Sequence, residues 1–249
     1  MAISLVAALA TLGFGPTVAP ASAAVTDKLP DLAVLAPFDF RLEISPAGRR
    51  LLRFSTVIVN VGIGPFQLFG FDPDGVTSQG DPLQVRQQIL QSDGTFRIRA
   101  TTATMLWAAD GHNHFHIQDA QRIFLQNMRA ETLERWAKTG FCFLDSYPYG
   151  STKPSRYDSA HFVCQVAPNR TVPMGVSIKW GDVYRSTIAL QWIDITGLPS
   201  GDYRILLIAD PPLETTGRFL ESEESNNRGW ATIRLTRKSV TVLTTSPKP

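Results

Sequence analysis

The stretch LLRFSTVIVNV at residues 51–61 decides the fold, because it is long, apolar and rich in β-branched residues. Such side chains favour extended strands over helices. The cluster Gly62-Ile63-Gly64-Pro65 follows at once, and glycine and proline together interrupt a strand. The segment therefore predicts a strand that ends close to Val61.

Outward from this strand, the chain alternates short apolar runs with turns that contain glycine and proline. Further strands are predicted at 66–71, 187–195, 203–209 and 230–243, and residues 197–202 (GLPSGD) are predicted to form a hairpin connection. The segment with helical character is 128–138, where Leu133, Trp136 and Ala137 can share one face. This pattern predicts an all-β fold, an antiparallel β-sandwich with long loops and little helix.

The composition limits the classes of protein to consider. With 249 residues, 43% hydrophobic and 18% charged, the chain can bury a substantial core, and one domain is expected. The net charge is only +2, and the basic residues are dispersed along the chain. A nucleic-acid-binding protein usually carries a basic stripe, so no nucleic-acid partner is expected.

Residues 1–24 have the features of an export signal. They contain no charged side chain, and an apolar run at 3–14 precedes the small residues Ala21-Ser22-Ala23-Ala24. The absence of Lys or Arg near Met1 departs from the usual pattern. An uncleaved anchor is the alternative, but the run is shorter than the roughly 20 residues that cross a bilayer. We expect cleavage after Ala23 or Ala24, no membrane span, and a secreted or cell-surface protein.

After this segment, residues 25–243 are expected to form the functional domain and residues 244–249 a frayed tail. The domain contains Cys142 and Cys164, which are the two cysteines of the chain. Export would place them in an oxidising compartment, where a disulfide between them can persist. The alternative is a pair of buried free thiols.

The strongest chemical motif is a run of histidines, His112, His114 and His116. On an extended strand alternate residues face the same side, so the three imidazoles would project together. Neutral imidazoles suit Cu(II) or Zn(II), and three protein ligands leave a coordination position open to water or substrate. The alternative is a surface run without a ligand. His161 is interpreted as an ordinary core or surface histidine.

An acidic segment at 221–227 (ESEESNN) offers carboxylate and amide oxygens, which Ca²⁺ prefers. Without the spacing of an EF-hand loop, it can equally be a solvated acidic turn. Two further residues, Lys138 and Tyr184, are not distinguished by any local pattern.

The order of several motifs resembles the catalytic domain of the lysyl oxidase family, as found in bacterial relatives. They are His112-x-His114-x-His116, the run QWIDIT at 191–196, and Glu221-Ser222-Glu223-x-x-Asn226-Asn227. The resemblance begins near Leu29-Pro30-Asp31-Leu32 and extends to about Leu235.

The resemblance implies a copper site formed by His112, His114 and His116. It also implies an organic cofactor, lysine tyrosylquinone, made from Lys138, which precedes Phe141-Cys142, and Tyr184, seven residues before Gln191. A structural Ca²⁺ site is implied as well. Its ligands would be Asp31, the Leu32 carbonyl, Glu221, Glu223, Asn226 and Asn227, with Glu223 standing where the animal proteins have Asp.

The resemblance further implies a copper-dependent amine oxidase that uses O2 to convert primary amines or peptidyl lysine into aldehydes, ammonia and hydrogen peroxide. Asp119 is a candidate base for removing a substrate proton, although on a straight strand it would face away from the histidines. The alternative is a non-catalytic, metal-binding β-sandwich in which Lys138 and Tyr184 never meet. A zinc hydrolase at the same histidines is a more distant alternative.

Overall fold

The computed structural model describes residues 24–71, 82–108, 113–135, 140–161, 163–211 and 217–249. The predicted export signal falls almost wholly outside these residues. Strands dominate the described residues, which contain no α-helix. The helical segment there is a three-residue 3-10 helix at Ser159–His161. The described part of the chain contains no helix with the length and hydropathy of a membrane span.

The strands run in chain order as follows. They are β1 (Asp27–Lys28), β2 (Leu32–Val34), β3 (Phe38–Ile44), β4 (Arg50–Asn60), β5 (Phe66–Phe71), β6 (Leu83–Gln91), β7 (Phe96–Trp107), β8 (Phe115–Gln118), β9 (Gln121–Asn127), β10 (Thr132–Arg135), β11 (Gly140–Phe141), β12 (Tyr147–Pro148), β13 (Thr171–Val176), β14 (Trp180–Tyr184), β15 (Trp192–Asp194), β16 (Gly201–Ala209), β17 (Arg228–Leu235) and β18 (Val240–Thr245).

These strands form three antiparallel sheets around one main core. The first has the order β11-β8-β7-β6-β5-β13, with β1 paired to β6. The second has the order β10-β9-β16-β17-β18, and the third has the order β12-β14-β4-β15, with β2 and β3 also paired to β4. The all-β prediction is confirmed.

Strand β4 confirms the expectation for residues 51–61 and explains why that stretch is so apolar. Leu52, Phe54 and Ile58 enter the main core, whereas Val57 and Val59 enter a second cluster on the opposite face. A strand buried on both faces reads as a continuous apolar run rather than an alternating one. The centre of the fold is therefore visible in the sequence.

The break after β4 also positions a distant segment. A Cβ atom at Gly62 would lie 2.5 Å from the backbone nitrogen of Asp31, so only glycine permits this close approach. The Val61 backbone N–H donates to the Asp31 carbonyl at 2.8 Å. Asp31 and β2 are thereby fixed against the end of β4.

The helix predicted at 128–138 is wrong where the structure describes it. Residues 132–135 form β10, which returns along β9 as a hairpin. Asn127 favours this turn, because its side-chain oxygen accepts the backbone N–H groups of Arg129 and Glu131, and Ala130 adopts a φ of 64°. Local turn chemistry thus outweighs the weak helical periodicity.

Other boundaries differ from the sequence predictions. The 197–202 turn joins β15, which pairs with β4, to β16, which pairs with β9 and β17, so the predicted hairpin is wrong. Of 187–195, only Trp192–Asp194 is a strand. The 230–243 run is divided into β17 and β18, and β18 continues through Thr245, within the tail predicted to fray.

Candidate metal and cofactor site

The histidine segment lies at β8, between β7 and β11 of the first sheet. His116 is on the strand and pairs with Leu106, whereas His114 immediately precedes it and accepts the Ala108 backbone N–H at 2.8 Å through its carbonyl. Asn113 has a φ of 50°, so the backbone before His114 is not extended. His112 lies outside the described residues. The expected single extended strand is therefore too simple for His114.

The two described imidazoles nevertheless meet. Their Nε2 atoms are 2.9 Å apart, and their ring centroids are 4.7 Å apart. His116 is only 5% exposed. Two ring nitrogens at this separation can accept one cation in common or share a proton.

Gly140 on β11 makes room for His116. A Cβ atom there would lie 2.8 Å from the Cβ of His116 and 3.0 Å from its Nδ1. These atoms lie at the base of the buried His116 side chain, where there is no room to move aside. Any larger residue at 140 would therefore displace the imidazole. The segment that follows Lys138 in sequence is thus in contact with the histidine segment.

Tyr184 approaches the same segment from another sheet. It ends β14, is 8% exposed, and its hydroxyl accepts the backbone N–H of Cys142 at 2.8 Å. Its ring lies 4.3 Å from that of Phe141, centroid to centroid. Residues 140–142 therefore contact His116 at one end and Tyr184 at the other. Lys138 itself lies outside the described residues.

The predicted disulfide is confirmed. Cys142 and Cys164 are bonded, with their Cα atoms 5.9 Å apart. The Cys164 carbonyl accepts the backbone N–H of Phe115, which lies between the two described histidines, at 2.9 Å. The disulfide therefore links the Tyr184-bound segment to the backbone of the histidine segment.

Two other candidates lie away from this contact. Asp119 is in the turn after β8 with a φ of 53°, and its carboxylate faces Arg218 at 3.5 Å and Arg122 at 3.8 Å. His161 is exposed and its Nδ1 lies 2.7 Å from the Asp158 carboxylate, which agrees with the surface interpretation.

The acidic turn at 221–227 packs on the start of β2. The Leu32 backbone N–H donates to the Glu221 carboxylate at 2.5 Å, and the Asn226 amide donates to Asp31 at 2.6 Å. The Asn227 amide donates to Glu221 at 3.3 Å. The structure thus brings Asp31 and Leu32 to Glu221, Asn226 and Asn227. Glu223 is exposed, and its carboxylate accepts the Ser225 backbone N–H at 2.8 Å.

Sequence reasoning missed Asp210, which lies outside this turn, and it left Glu224, inside the turn, out of the proposed ligand set. With Glu221, they offer oxygen atoms that all lie within 4.8 Å of one another. Burial raises the pKa of Asp210 to about 6 and raises that of Glu221 well above its ordinary range, with neighbouring carboxylates adding to each effect. No local pattern distinguishes Asp210, because only the return of β16 toward the turn makes it a neighbour of Glu221.

The turn also contains acceptors without partners. Among the described residues, the side-chain oxygens of Asn226 and Asn227 are buried and accept no hydrogen bond. Buried polar atoms are nearly always satisfied, so orphan amide oxygens beside clustered carboxylates suit a cation that prefers oxygen ligands.

Fold and site together define a class: an antiparallel β-protein with paired histidines, a disulfide and a buried tyrosine at one centre, and an oxygen-rich turn at another. The chain belongs to the lysyl oxidase family, whose family model matches residues 76–245. Lysyl oxidase homolog 2 of Gallus gallus is 28% identical over 194 residues, covering 78% of this chain and 19% of that protein.

Two other relatives give the same result. Lysyl oxidase homolog 2 of Homo sapiens is 29% identical over 180 residues, covering 72% of this chain and 17% of that protein. Lysyl oxidase homolog 3A of Danio rerio is 27% identical over 180 residues, covering 72% and 18% respectively. The chain therefore spans less than a fifth of the length of these relatives.

Proposed function

We propose that this protein is an exported copper-dependent amine oxidase. It converts a primary amine or peptidyl lysine, with O2 and water, into an aldehyde, ammonia and hydrogen peroxide, using a lysine tyrosylquinone made from Lys138 and Tyr184. The observation that carries the proposal is the contact of one short segment, residues 140–142, with both His116 and Tyr184. The disulfide supports export, because such bonds persist in oxidising compartments.

His112, His114 and His116 are the proposed copper ligands. The Nε2 atoms of the two described imidazoles lie 2.9 Å apart, so one ion could bind both. Neutral imidazoles suit Cu(II), and copper would supply redox chemistry, which zinc does not.

Tyr184 is the proposed quinone precursor. Its ring packs against Phe141 and its hydroxyl accepts the Cys142 N–H, in a buried position. Lys138 lies two residues before Gly140 in sequence, so the chain itself connects the proposed cross-linking amine to this position. When bound, copper and the quinone supply the redox chemistry, and the protein supplies orientation and burial.

Asp31, the Leu32 carbonyl, Glu221, Glu223, Asn226 and Asn227 are the proposed Ca²⁺ ligands. The orphan oxygens of Asn226 and Asn227 support this role. Glu223 would have to release the Ser225 N–H to join them.

Asp119 is the proposed substrate base. Its two arginine neighbours orient the carboxylate, and Asp119→Asn tests whether proton removal depends on it.

The decisive experiment loads the whole protein with copper in air and maps its peptides by mass spectrometry. We expect a linked pair of peptides that contain residues 138 and 184, together with peroxide release from a simple alkyl amine. Lys138→Arg should abolish both while copper still binds, whereas Lys153→Arg, at an exposed lysine, should change neither.

Two results would reject the proposal. If Lys138→Arg retains full peroxide release, the cofactor assignment is wrong. If copper binds to the wild-type protein but neither the linked peptides nor peroxide appear, the protein is the non-catalytic metal-binding β-sandwich instead.

A further inference from the structure

A cleft lies on the outer face of the five-stranded sheet; Asn226 of the proposed Ca²⁺ site is among the residues that line it, but none of its basic or apolar side chains is a proposed metal ligand. Its volume is about 600 Å³, within the range of sites that hold small ligands or short peptide segments. We call it the basic cleft and define it by Arg204, Leu206, Arg228, Trp230 and Lys248.

Strand register explains the arrangement of its floor. Leu206 on β16 pairs with Trp230 on β17, and Arg204 and Arg228 each lie two residues before one member of that pair. Residues two apart share a face, and the strands are antiparallel, so one arginine stands at each end of the apolar pair. The buried residues between them, such as Ile205, face the core instead.

The charge of the basic cleft is mainly positive. Arg204, Arg228 and Lys248 are positive, no Asp or Glu lines the cleft, and the main-chain carboxylate of Pro249 is the single negative group among its described lining residues. The whole chain carries 24 basic and 22 acidic residues, so the cleft concentrates a charge that is nearly balanced elsewhere. This concentration creates a positive potential that attracts an anionic group.

The two arginines also lack the partners that similar arginines have. Arg234 on the same sheet forms an ion pair with Asp202 at 2.7 Å. Within the described chain, no carboxylate pairs with Arg204 or Arg228, and the Arg204 Nε is buried without a hydrogen-bond partner. The Arg204 guanidinium carbon lies over the Trp230 ring, 4.8 Å from its centre, in a cation–π contact.

One wall of the basic cleft is fixed in advance. Ser246 donates its backbone N–H to the Trp230 carbonyl at 2.8 Å and accepts the Trp230 N–H on its hydroxyl at 3.1 Å. The hydroxyl of Tyr149, the residue after β12, donates to a main-chain oxygen of Pro249 at 2.5 Å. A preformed wall lowers the entropy cost of binding.

We propose that the basic cleft binds an acidic peptide segment of a partner protein, with an apolar side chain between two carboxylates. Planar guanidinium groups donate two parallel hydrogen bonds to a carboxylate, which suits the two ends. Leu206 and Trp230 lie between the two arginines and form an apolar surface that suits a hydrocarbon side chain. A purely charged polysaccharide has no such group. The proposal is independent of the amine oxidase assignment.

The test measures fluorescence anisotropy of a fluorescein-labelled peptide, Gly-Glu-Glu-Leu-Glu-Glu-Gly, with the whole protein. We expect binding that weakens with salt and that is lost when every Glu of the peptide becomes Gln. The double variant Arg204→Gln/Arg228→Gln should lower the affinity by roughly tenfold or more. Arg237→Gln, at an exposed arginine of the β17–β18 turn, is the matched control and should not change it.

Thermal melting checks that the double variant folds. Lys248→Gln changes a residue outside the strands, so it should leave the sheet intact and give a smaller loss of peptide affinity. Peroxide release from a small alkyl amine should not change in any of these variants. Equal binding of the Gln peptide, or unaltered binding by the double variant, would overturn the proposal. The proposal would also be overturned if the acidic peptide does not bind while heparin or phosphatidylserine vesicles bind in a manner that depends on the arginines.

Discussion

The two candidate metal sites are built in opposite ways. The oxygen-rich turn takes most of its groups from seven consecutive residues, 221–227, and adds Asp31 and Leu32 from one segment and Asp210 from the end of β16. The histidine and tyrosine centre is assembled from β8, β11 and β14, which belong to two sheets. A local turn can be recognised from composition alone, whereas an assembled centre is recognisable only when the fold joins its parts.

The largest expected effect breaks the assembled centre. Tyr184→Phe removes the hydroxyl from which a quinone is made, so we expect peroxide release to fall to background while copper binding persists. The lost hydrogen bond from Cys142 should cost about 1 kcal/mol of stability.

Tyr203→Phe is the matched control for this change. It removes the hydroxyl of another buried tyrosine, which donates to the Pro199 carbonyl at 2.9 Å, so it should lower stability similarly and leave activity intact. Full activity in the Tyr184 variant, measured as peroxide per minute, would contradict the cofactor assignment.

The second prediction concerns the link between the two halves of that centre. The disulfide closes a loop with a sequence separation of 22, for which chain entropy gives roughly 3 kcal/mol of stabilisation. Cys142→Ala/Cys164→Ala should therefore lower the unfolding free energy in urea by about this amount. A change below roughly 1 kcal/mol would show that other contacts hold the segment.

The third prediction concerns the oxygen-rich turn and pH. Because the folded pKa of Asp210 is raised to about 6, its stabilising contribution in chelator-treated protein is present below about pH 4 and is lost as the pH rises through 6. The loss should be on the order of 3 kcal/mol. Between pH 4.5 and pH 7, denaturant unfolding should show roughly 2 kcal/mol of this loss, because the unfolded Asp is already mostly ionised at pH 4.5, and Asp210→Asn should reduce the dependence.

Calcium should reverse that loss at pH 7, by about 2.7 kcal/mol when its concentration is 100 times the dissociation constant. Glu221→Gln should remove the calcium effect, since Glu221 is buried at the centre of the turn. If calcium stabilises wild-type protein and the Glu221 variant equally, the turn is not the binding site.

The smallest expected effect is on the contact between Gly140 and His116. Gly140→Ala places a Cβ 2.8 Å from the His116 Cβ, so the imidazole must move. We expect copper affinity, measured by competition with a chelator, to fall by roughly tenfold, which equals about 1.4 kcal/mol.

Gly201→Ala is the control, because the nearest atom to a Cβ there is 3.7 Å away. Unchanged copper affinity in the Gly140 variant, together with an unchanged control, would show that this contact does not orient the histidine.

The sequence by itself determined features that depend on neighbouring residues. The double-faced burial of β4 is evident in 51–61, and the cysteine pair and acidic turn were each recognisable. The family resemblance, carried by the order of motifs along the chain, agrees with the matched family model. Weak periodicity failed at 128–138, because an asparagine-centred turn outweighed it.

Only the tertiary structure decided which distant groups meet. Asp210 joins Glu221, Tyr184 meets the Cys142 N–H, and Arg204 lies over Trp230. None of these contacts follows from local pattern, since each requires strands from separate parts of the chain to be brought into register. Sequence specifies periodicity and turns, whereas the burial and electrostatic fields that shift a pKa or align a ring arise only when the sheets pack together.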